Sequence, residues 1–410
     1  ANDRIEVRFP AAAEQVGTAR FRVAAVSDTF TDATEIQLPV YTPATAEAFA
    51  TYGVIDDGAI AQPTRAPVDV FPQFGGLEIN TSSTALQALT DAVLYLSDYR
   101  YESADGLASR IMAIATLRDV LEAFDAADLP SATELDAAVR RDVDALADLQ
   151  NDDGGWPSWQ RGRPSVPWVS IQVTHALVLA RQAGYDVPAS TLDAALGHLA
   201  SIEETIPADY GDAVRNTLSS YALYVRGEAG DRDVEKATAL YEFVGDDLEP
   251  DAVAWLWPSI DDPALRESIE RRLGNAAVET AGAATFATSY GEDAYVIAHS
   301  DHKTDGIILD ALITQTPESD LIPKVVTGLL AGQTRGRWNN AHENAFVLVA
   351  LHRYFGTFES ITPDFVARAW LGDLYAAEVP FRGRSTDQVS TVVPMSEVPV
   401  SYTHLTLPTS

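Results

Sequence analysis

Ser103, Asp105 and Gly106 lie within the run YRYESADGLASR, residues 99–110, where a hydroxyl, a carboxylate and a missing side chain fall within four positions. A serine hydroxyl is a weak nucleophile at its free pKa and needs an adjacent base. The G-x-S-x-G turn that would present such a serine is absent. Ser103 followed by Ala104, Asp105 and an apolar-periodic run is instead the pattern of a helix start, with the hydroxyl capping free amides and the acid near the positive end of the dipole. Gly106 has no side-chain carbonyl that a nucleophile could attack.

Other chemistry-bearing clusters are weaker. His299, Asp301 and His302 form an H-x-D-H group with no further ligand close in sequence, and zinc sites usually need three or four fixed ligands. A solvated turn opening a helix at Thr304 is the expectation there, and no metal is assigned. His342 and Glu343 are expected to cap or line a helix start. In DDLEPD, Asp246 to Asp251, Pro250 stands where D-D-x-x-D spacing needs the last acid for magnesium and a diphosphate. No D-x-D-D acid is present. Carboxylate pairs for glycoside hydrolysis stay open, because a chain this acidic contains many pairs of unknown separation.

The elements that hold these residues are bounded by composition. The 410 residues suggest two or three domains, and 46% hydrophobic content is ample for large cores. Sixty acids against 28 bases give a net charge of −32, a field that repels phosphate backbones, so nucleic acid is not an expected partner. Lysine occurs only at Lys236, Lys303 and Lys324. The absence of cysteine excludes disulfides, thiolate metal sites and redox motifs. No apolar run reaches the length of a membrane span. The opening ANDRIEVRFP lacks the basic region and apolar core of a signal peptide, so the chain is expected to begin within a domain of a larger protein. The final residues, 400–410, follow no earlier pattern and resemble translated adapter read-through known from metagenomic assemblies. They are set aside as a non-native tail.

Periodicity divides the rest. Between 5 and 40, Ile5, Val7 and Phe9, then Phe21 and Val23, then Ile36, Leu38 and Val40 alternate as antiparallel strands do. Residues 42–78, with Pro43, Pro63, Pro67 and Pro72, read as irregular chain with short edge strands. Helical spacing then runs to about Phe358: Leu107, Ile111, Ile114, Leu117 and Leu121; Val173, Leu177 and Ala180; Ala345, Leu348, Val349 and His352. Ten to twelve helices in pairs of roughly forty-five residues fit this stretch. Strand-like alternation returns at 365–381 and 389–393.

Two turns match each other in the order Gln, Gly, x, Trp: Gln150, Gly154 and Trp156, then Gln333, Gly336 and Trp338. The pattern resembles the turn motif of triterpene cyclases, which are alpha/alpha toroids. Its physical reading is structural: glycine makes the tight turn, tryptophan packs across a helix pair, and the glutamine amide holds backbone at the next helix start. A closed ring of helical hairpins buries the faces an isolated pair would expose.

The run at 99–110 resembles the thioester site of the alpha-macroglobulin and complement family, Y-P-Y-x-C-x-E-Q-x-x-S-R. Tyr99, Tyr101, Ser109 and Arg110 keep its frame, while Ser103, Asp105 and Gly106 stand at the Cys, Glu and Gln positions. The stretches SDTFTDATEIQLPV, GGLEINTSSTALQAL, NDDGGWPSW, HKTDGIILDALI, GRWNNAHENAFVLVALHRYF and FRGRSTDQVSTVVPM are similar to further landmarks in the family's order. The resemblance implies a mainly α fold: the C-terminal strands of a macroglobulin-like β domain at 1–41, the first part of a CUB-like domain at 42–78, an alpha/alpha toroid without a thioester at 79–360, and returning CUB-like strands at 361–399. It implies no catalytic residue; the region where some complement members carry an acyl-transferring His, around 160–169, has none, and His175 lies inside the following helix. It further implies a non-enzymatic, cofactor-free bacterial endopeptidase inhibitor acting by non-covalent entrapment, with proteases and neighbouring domains of the same protein as partners, in the periplasm, cell envelope or extracellular space. The rival readings are a toroid enzyme acting on a glycan or isoprenoid, and an envelope scaffold with no inhibitory role.

Overall fold

The computed structural model describes residues 6–13, 17–41, 55, 58–64, 70, 74–84, 89–124, 130–280, 282–358, 363–383, 389–398 and 403–406. The chain divides into two units, Ala1–Thr51 and Tyr52–Ser410. Among its described residues the first unit contains one antiparallel hairpin, β1 (Gly17–Val26) on β2 (Thr31–Val40), closed by a bond from Ser27 N to Phe30 O of 2.8 Å. Phe21 pairs with Ile36 and Ala19 with Leu38, which puts the alternating apolar residues on one face, as expected. The expected strand through Val7 and Phe9 is a correction: residues 6–10 join no ladder among the described residues, and Ile5 lies outside them. Alternation alone does not make a strand without a partner edge.

In the second unit, the helices among the described residues run from α1 (Thr90–Ser97) to α12 (Ala341–Phe358) and alternate between two layers. The even-numbered members are α2 (Ala104–Phe124), α4 (Pro167–Gln182), α6 (Asp212–Glu228), α8 (Pro250–Leu256) and α10 (Asp301–Gln315), ending with α12. Each packs on the next, and α12 packs on α2, so they close a ring. The odd-numbered members, α1, α3 (Ala132–Leu149), α5 (Ala189–Ala200), α7 (Val234–Val244), α9 (Pro263–Ala276) and α11 (Leu321–Ala331), lie outside it, each against at least one of its sequence neighbours. This is the expected alpha/alpha toroid.

The sequence explains which helix goes where. α3 buries Leu135, Val139, Val143 and Leu146, a single stripe at three- and four-residue steps, which suits a helix covered on one side. α4 is buried from Pro167 to Ala180, which suits a helix enclosed on all sides. Starts are written locally: Ser131 and Glu134 form a reciprocal capping box on α3, Asp233 and Asp262 cap α7 and α9, and Pro167, Pro250 and Pro263 occupy first turns. The described side chains Leu107, Ile111, Ile114 and Leu117 of α2 are all in the core; that of Leu121 lies outside the described residues.

A two-residue ladder, β5 (Val278–Glu279) on β6 (Ala284–Thr285), lies between α9 and α10, and further strands bracket the ring. β4 (Gly76–Thr81), just before it, pairs antiparallel with β9 (Val389–Pro394), just after it, from Gly76 opposite Pro394 to Thr81 opposite Val389. β7 (Asp364–Leu371) and β8 (Leu374–Arg382) form a hairpin, and Ile79, Ala369, Leu371 and Val393 make a small separate core. β3 (Ala61–Thr64) and Thr403–Thr406 of the set-aside tail, β10, extend the β7–β8 sheet in the order β3-β10-β7-β8. Pro43, Pro67, Pro72 and residues 384–388 of the last landmark lie outside the described residues.

Candidate functional site

Ser103 caps α2. Its Oγ accepts from Gly106 N at 3.3 Å and its carbonyl from Leu107 N at 2.9 Å, and the side chain is buried. At Gly106 an added Cβ would stand 2.5 Å from the Tyr101 carbonyl oxygen, 3.0 Å from Ser103 Oγ and 3.2 Å from Tyr99 Cε1. The first of these is a backbone atom and cannot swing away. As folded, this position accommodates no side chain of any kind.

The frame residues tie this first turn down. Arg110 donates through Nε and Nη2 to the two carboxylate oxygens of Asp142 in α3, at 2.5 and 2.8 Å, and through Nη1 to the Tyr99 carbonyl at 3.0 Å. Both partners are buried, so the fork holds the approach segment against the ring. Ser109 donates to the Asp105 carbonyl at 2.8 Å and accepts from Gln172 of α4 at 3.0 Å. Tyr95, Tyr99 and Tyr101 contact edge to face in sequence, with centroids 5.7 and 5.4 Å apart.

Beside this turn the first residues of five ring helices meet: Asp105 of α2, Trp168 of α4, Asp251 of α8, Lys303 of α10 and His342 of α12. Asp105 Oδ2 lies 3.5 Å from His342 Nε2. Lys303 is fully buried, donates to the Ile297 carbonyl at 2.5 Å, and holds its ammonium 4.1 Å over the Trp168 ring. Burial pushes its pKa down to about 7, against the pull of Asp251 and Glu343. Burial likewise lowers His342 to about 4, although Asp105 acts the other way. Asp251 accepts from Tyr290 Oη, and Asp305, raised to about 7 by burial, accepts from Phe286 N at 2.7 Å. Converging helix N-termini favour these acids and disfavour a charged lysine.

The ring centre below is filled by side chains. Tyr221 stacks on Trp255 at 4.2 Å, and Trp168 and Phe346 close around them. His175, inside α4 as expected, shares a hydrogen with Tyr221 Oη at 2.9 Å, and burial lowers its pKa to about 3.

The H-x-D-H group is divided between partners. Ser300 caps α10 by accepting from Lys303 N, so the helix starts at Asp301 and not at Thr304; the serine was the missed signal. His299 faces Asp301 at 3.8 Å, whereas His302 faces Glu343 at 3.8 Å, whose carboxylate raises its pKa. Both imidazoles are partly buried, which corrects the expectation of a solvated turn. Among the described residues no three such side chains group to hold a metal. Glu343 also accepts from Asn339 N at 2.8 Å, lining the start of α12. Asp246 and Asp247 lie in a turn outside α8 while Asp251 is buried inside it, so the acid run does not form one site.

The two matched turns are built alike. Trp156 Nε1 donates to Leu146 O of α3 at 2.7 Å, and Trp338 Nε1 to Leu329 O of α11 at 2.9 Å. Each tryptophan's backbone N–H is then accepted by a side chain of the following ring helix, Ser170 or Asn344. Gly154 and Gly336 take φ of 84° and 72°. Gln150 departs from expectation: its amide donates to Gly154 O in the turn and to Thr191 O in α5, both at 2.9 Å, and not to the start of α4.

No family model matches the chain. An alpha-2-macroglobulin homolog of the cyanobacterium Nostoc sp. is 26% identical over 98% of this chain and 21% of its own length. A Dictyostelium discoideum protein described as circularly permutated Ras protein 2 is 26% identical over 93% of this chain and 10% of its own. The chain thus spans about a fifth or less of these relatives. Among solved structures, Salmonella alpha-2-macroglobulin reacted with methylamine aligns over 97% of this chain and 26% of its own, with TM-score 0.59 and 15% identity. Native Escherichia coli alpha-2-macroglobulin, from domain MG7 to the C-terminus, aligns over 96% and 62%, with TM-score 0.58 and 14% identity. The closed ring and the strands that bracket it define an alpha/alpha toroid carried on β-structure. Over nearly its whole length the chain is similar to members of the alpha-2-macroglobulin family.

Proposed function

We propose that this chain is the toroid-bearing segment of a larger bacterial alpha-2-macroglobulin-like protein that restrains proteases without a covalent bond. The observation that carries the reading is Gly106, which lacks the acyl group of a thioester and whose surroundings leave no space for one. Ser103, Asp105 and Gly106 are the degenerate reactive positions on this reading, and Tyr99, Tyr101, Ser109 and Arg110 keep a frame that now serves packing. Protease partners are supported by similar Escherichia coli structures described as activated by trypsin and by porcine elastase.

Residues 1–41 are the last strands of a macroglobulin-like domain, and 42–78 and 361–399 are two parts of one CUB-like domain interrupted by the toroid at 79–360. The β4–β9 pairing supports this division. The protein works in the periplasm, cell envelope or extracellular space; no described helix is long and apolar enough to cross a membrane. A filled ring centre favours a binding role over an enzyme acting on a glycan or isoprenoid.

The test is the full-length protein incubated with a protease panel, followed by native gel shift and assays with large and small substrates. Non-covalent restraint spares large substrates while small chromogenic peptides are still cut, and the complex separates on denaturation. Trypsin left fully active on protein substrates would establish the scaffold reading instead. A thiol freed by methylamine would overturn both.

A further inference from the structure

We infer that the arginine- and tyrosine-lined groove beside the degenerate reactive position binds acidic peptide segments. The groove, about 580 Å³, runs between α1, the approach segment and the second matched turn, and carries Tyr95, Tyr99, Tyr101, Arg100, Arg335 and Arg337 on its walls. This chain has more than twice as many acids as bases, and its buried arginines are occupied: Arg110, Arg226 and Arg353 by carboxylates, while the partly buried Arg272 is held by three carbonyls. The side chains of Arg100, Arg335 and Arg337 make no hydrogen bond or ion pair among the described residues. Three unengaged guanidinium groups on one groove are a local reversal of a net charge of −32.

The geometry prepares them for carboxylates. Arg337 lies 4.1 Å over the Tyr95 ring, which fixes the guanidinium plane and leaves its edge donors for a bidentate acceptor. Thr334 N donates to Arg337 O at 2.9 Å, closing a tight turn whose central residues, Arg335 and Gly336, have φ of 55° and 72°. Glycine or asparagine is usual at the first of these, so an arginine there is kept against the backbone's preference. The groove's own acids do not neutralise the cations: Asp91 packs its carboxylate against Gly336, and Asp98 forms no ion pair among the described residues.

Tyr101 is 64% exposed and extends the tyrosine ladder to the surface, offering faces to the apolar parts of a bound chain. Cations spread along a groove suit several carboxylates on an extended peptide better than one small anion. At physiological ionic strength the screening length is about 8 Å, so remote acids of this chain do not cancel the local attraction. This site stands whether or not the protein restrains proteases.

The test is fluorescence anisotropy of labelled peptides on the 410-residue chain at physiological ionic strength: a hexapeptide alternating Glu and Tyr, its Gln–Tyr counterpart, and a labelled oligogalacturonate. The Glu peptide is expected to saturate at least tenfold more tightly than the Gln peptide. Arg100→Gln and Arg337→Gln should each weaken it tenfold or more. Arg335→Gly should weaken it while melting at or above the wild-type temperature, since glycine accepts positive φ, which separates loss of the cation from loss of fold. Equal affinity for the Glu and Gln peptides, binding indifferent to these substitutions, or tighter binding of the oligogalacturonate would overturn the assignment.

Discussion

Gly106→Ala adds one methyl group and sets two physical effects against each other. Alanine in place of glycine in a helix is ordinarily worth about 1 kcal/mol. Here the new carbon would lie 2.5 Å from the Tyr101 carbonyl oxygen, on a segment held by Arg110, so the first turn of α2 or the approach chain must move. Overpacking of this kind costs about 1–3 kcal/mol. With a clash onto backbone at the upper end of that range, sterics win by up to about 2 kcal/mol, a fall of up to about 8 °C in melting temperature at the 2–4 °C per kcal/mol typical of large domains. Differential scanning fluorimetry reads the single variant. The double variant Ser103→Cys, Gly106→Gln should be less stable still, and thiol titration after methylamine should find no thiol newly released. A Gly106→Ala protein melting at or above wild type, or a double variant that frees a thiol only on methylamine treatment, would refute the steric reasoning.

Asp142→Ala should cost about 3–5 kcal/mol in chemical denaturation by stranding buried Arg110, and Arg110→Met with Asp142→Leu should recover most of it; an equally unstable double variant would contradict this. Trp156→Phe removes the indole bond to Leu146 O and should cost about 1–3 kcal/mol, with Trp338→Phe close to it because Leu329 O is held in the same way. Lys303→Met tests the buried ammonium. The unfolded chain keeps that proton to about pH 10.5 and the folded chain releases it near 7, so between these values unfolding takes up a proton and stability rises with pH. At about 1.4 kcal/mol per pH unit the ceiling is about 5 kcal/mol. The variant should therefore melt above wild type at pH 7, with the gap closing toward pH 10; a gap independent of pH would show that the lysine stays charged.

The ring was legible because its signals are local. Three- and four-residue spacing in α2, α4 and α12 gave the helices, Ser103 with Asp105 gave a helix start, and the repeated Gln, Gly, Trp order gave two equivalent turns. The strands at 365–381 and 389–393 were legible from alternation, and the family from motifs in a fixed order. What escaped depends on residues brought together by closure. Lys303, Asp251, His342, Asp105 and Trp168 come from five helices spread over more than two hundred positions, and nothing near Lys303 announces burial except the rarity of lysine in this chain. Arg335 and Arg337 flank Gly336 in a motif whose structural reading was sufficient, so their shared groove with Tyr95 was invisible until α1 stood beside them. Gln150 reached α5 and not α4 because the start of α4 is already held at Trp156, where Val166 N donates to Trp156 O and Ser170 Oγ accepts from the tryptophan N–H.

Contact between α12 and α2 also dictates the order of events at the ribosome. The flank of α2 that α12 covers is made first and its partner last, with roughly two hundred residues emerging in between. At synthesis rates of about 5–20 residues per second, that apolar flank stays uncovered for on the order of ten to forty seconds. The unfinished chain is thus an open arc with two uncovered apolar ends, which meet only when α12 arrives.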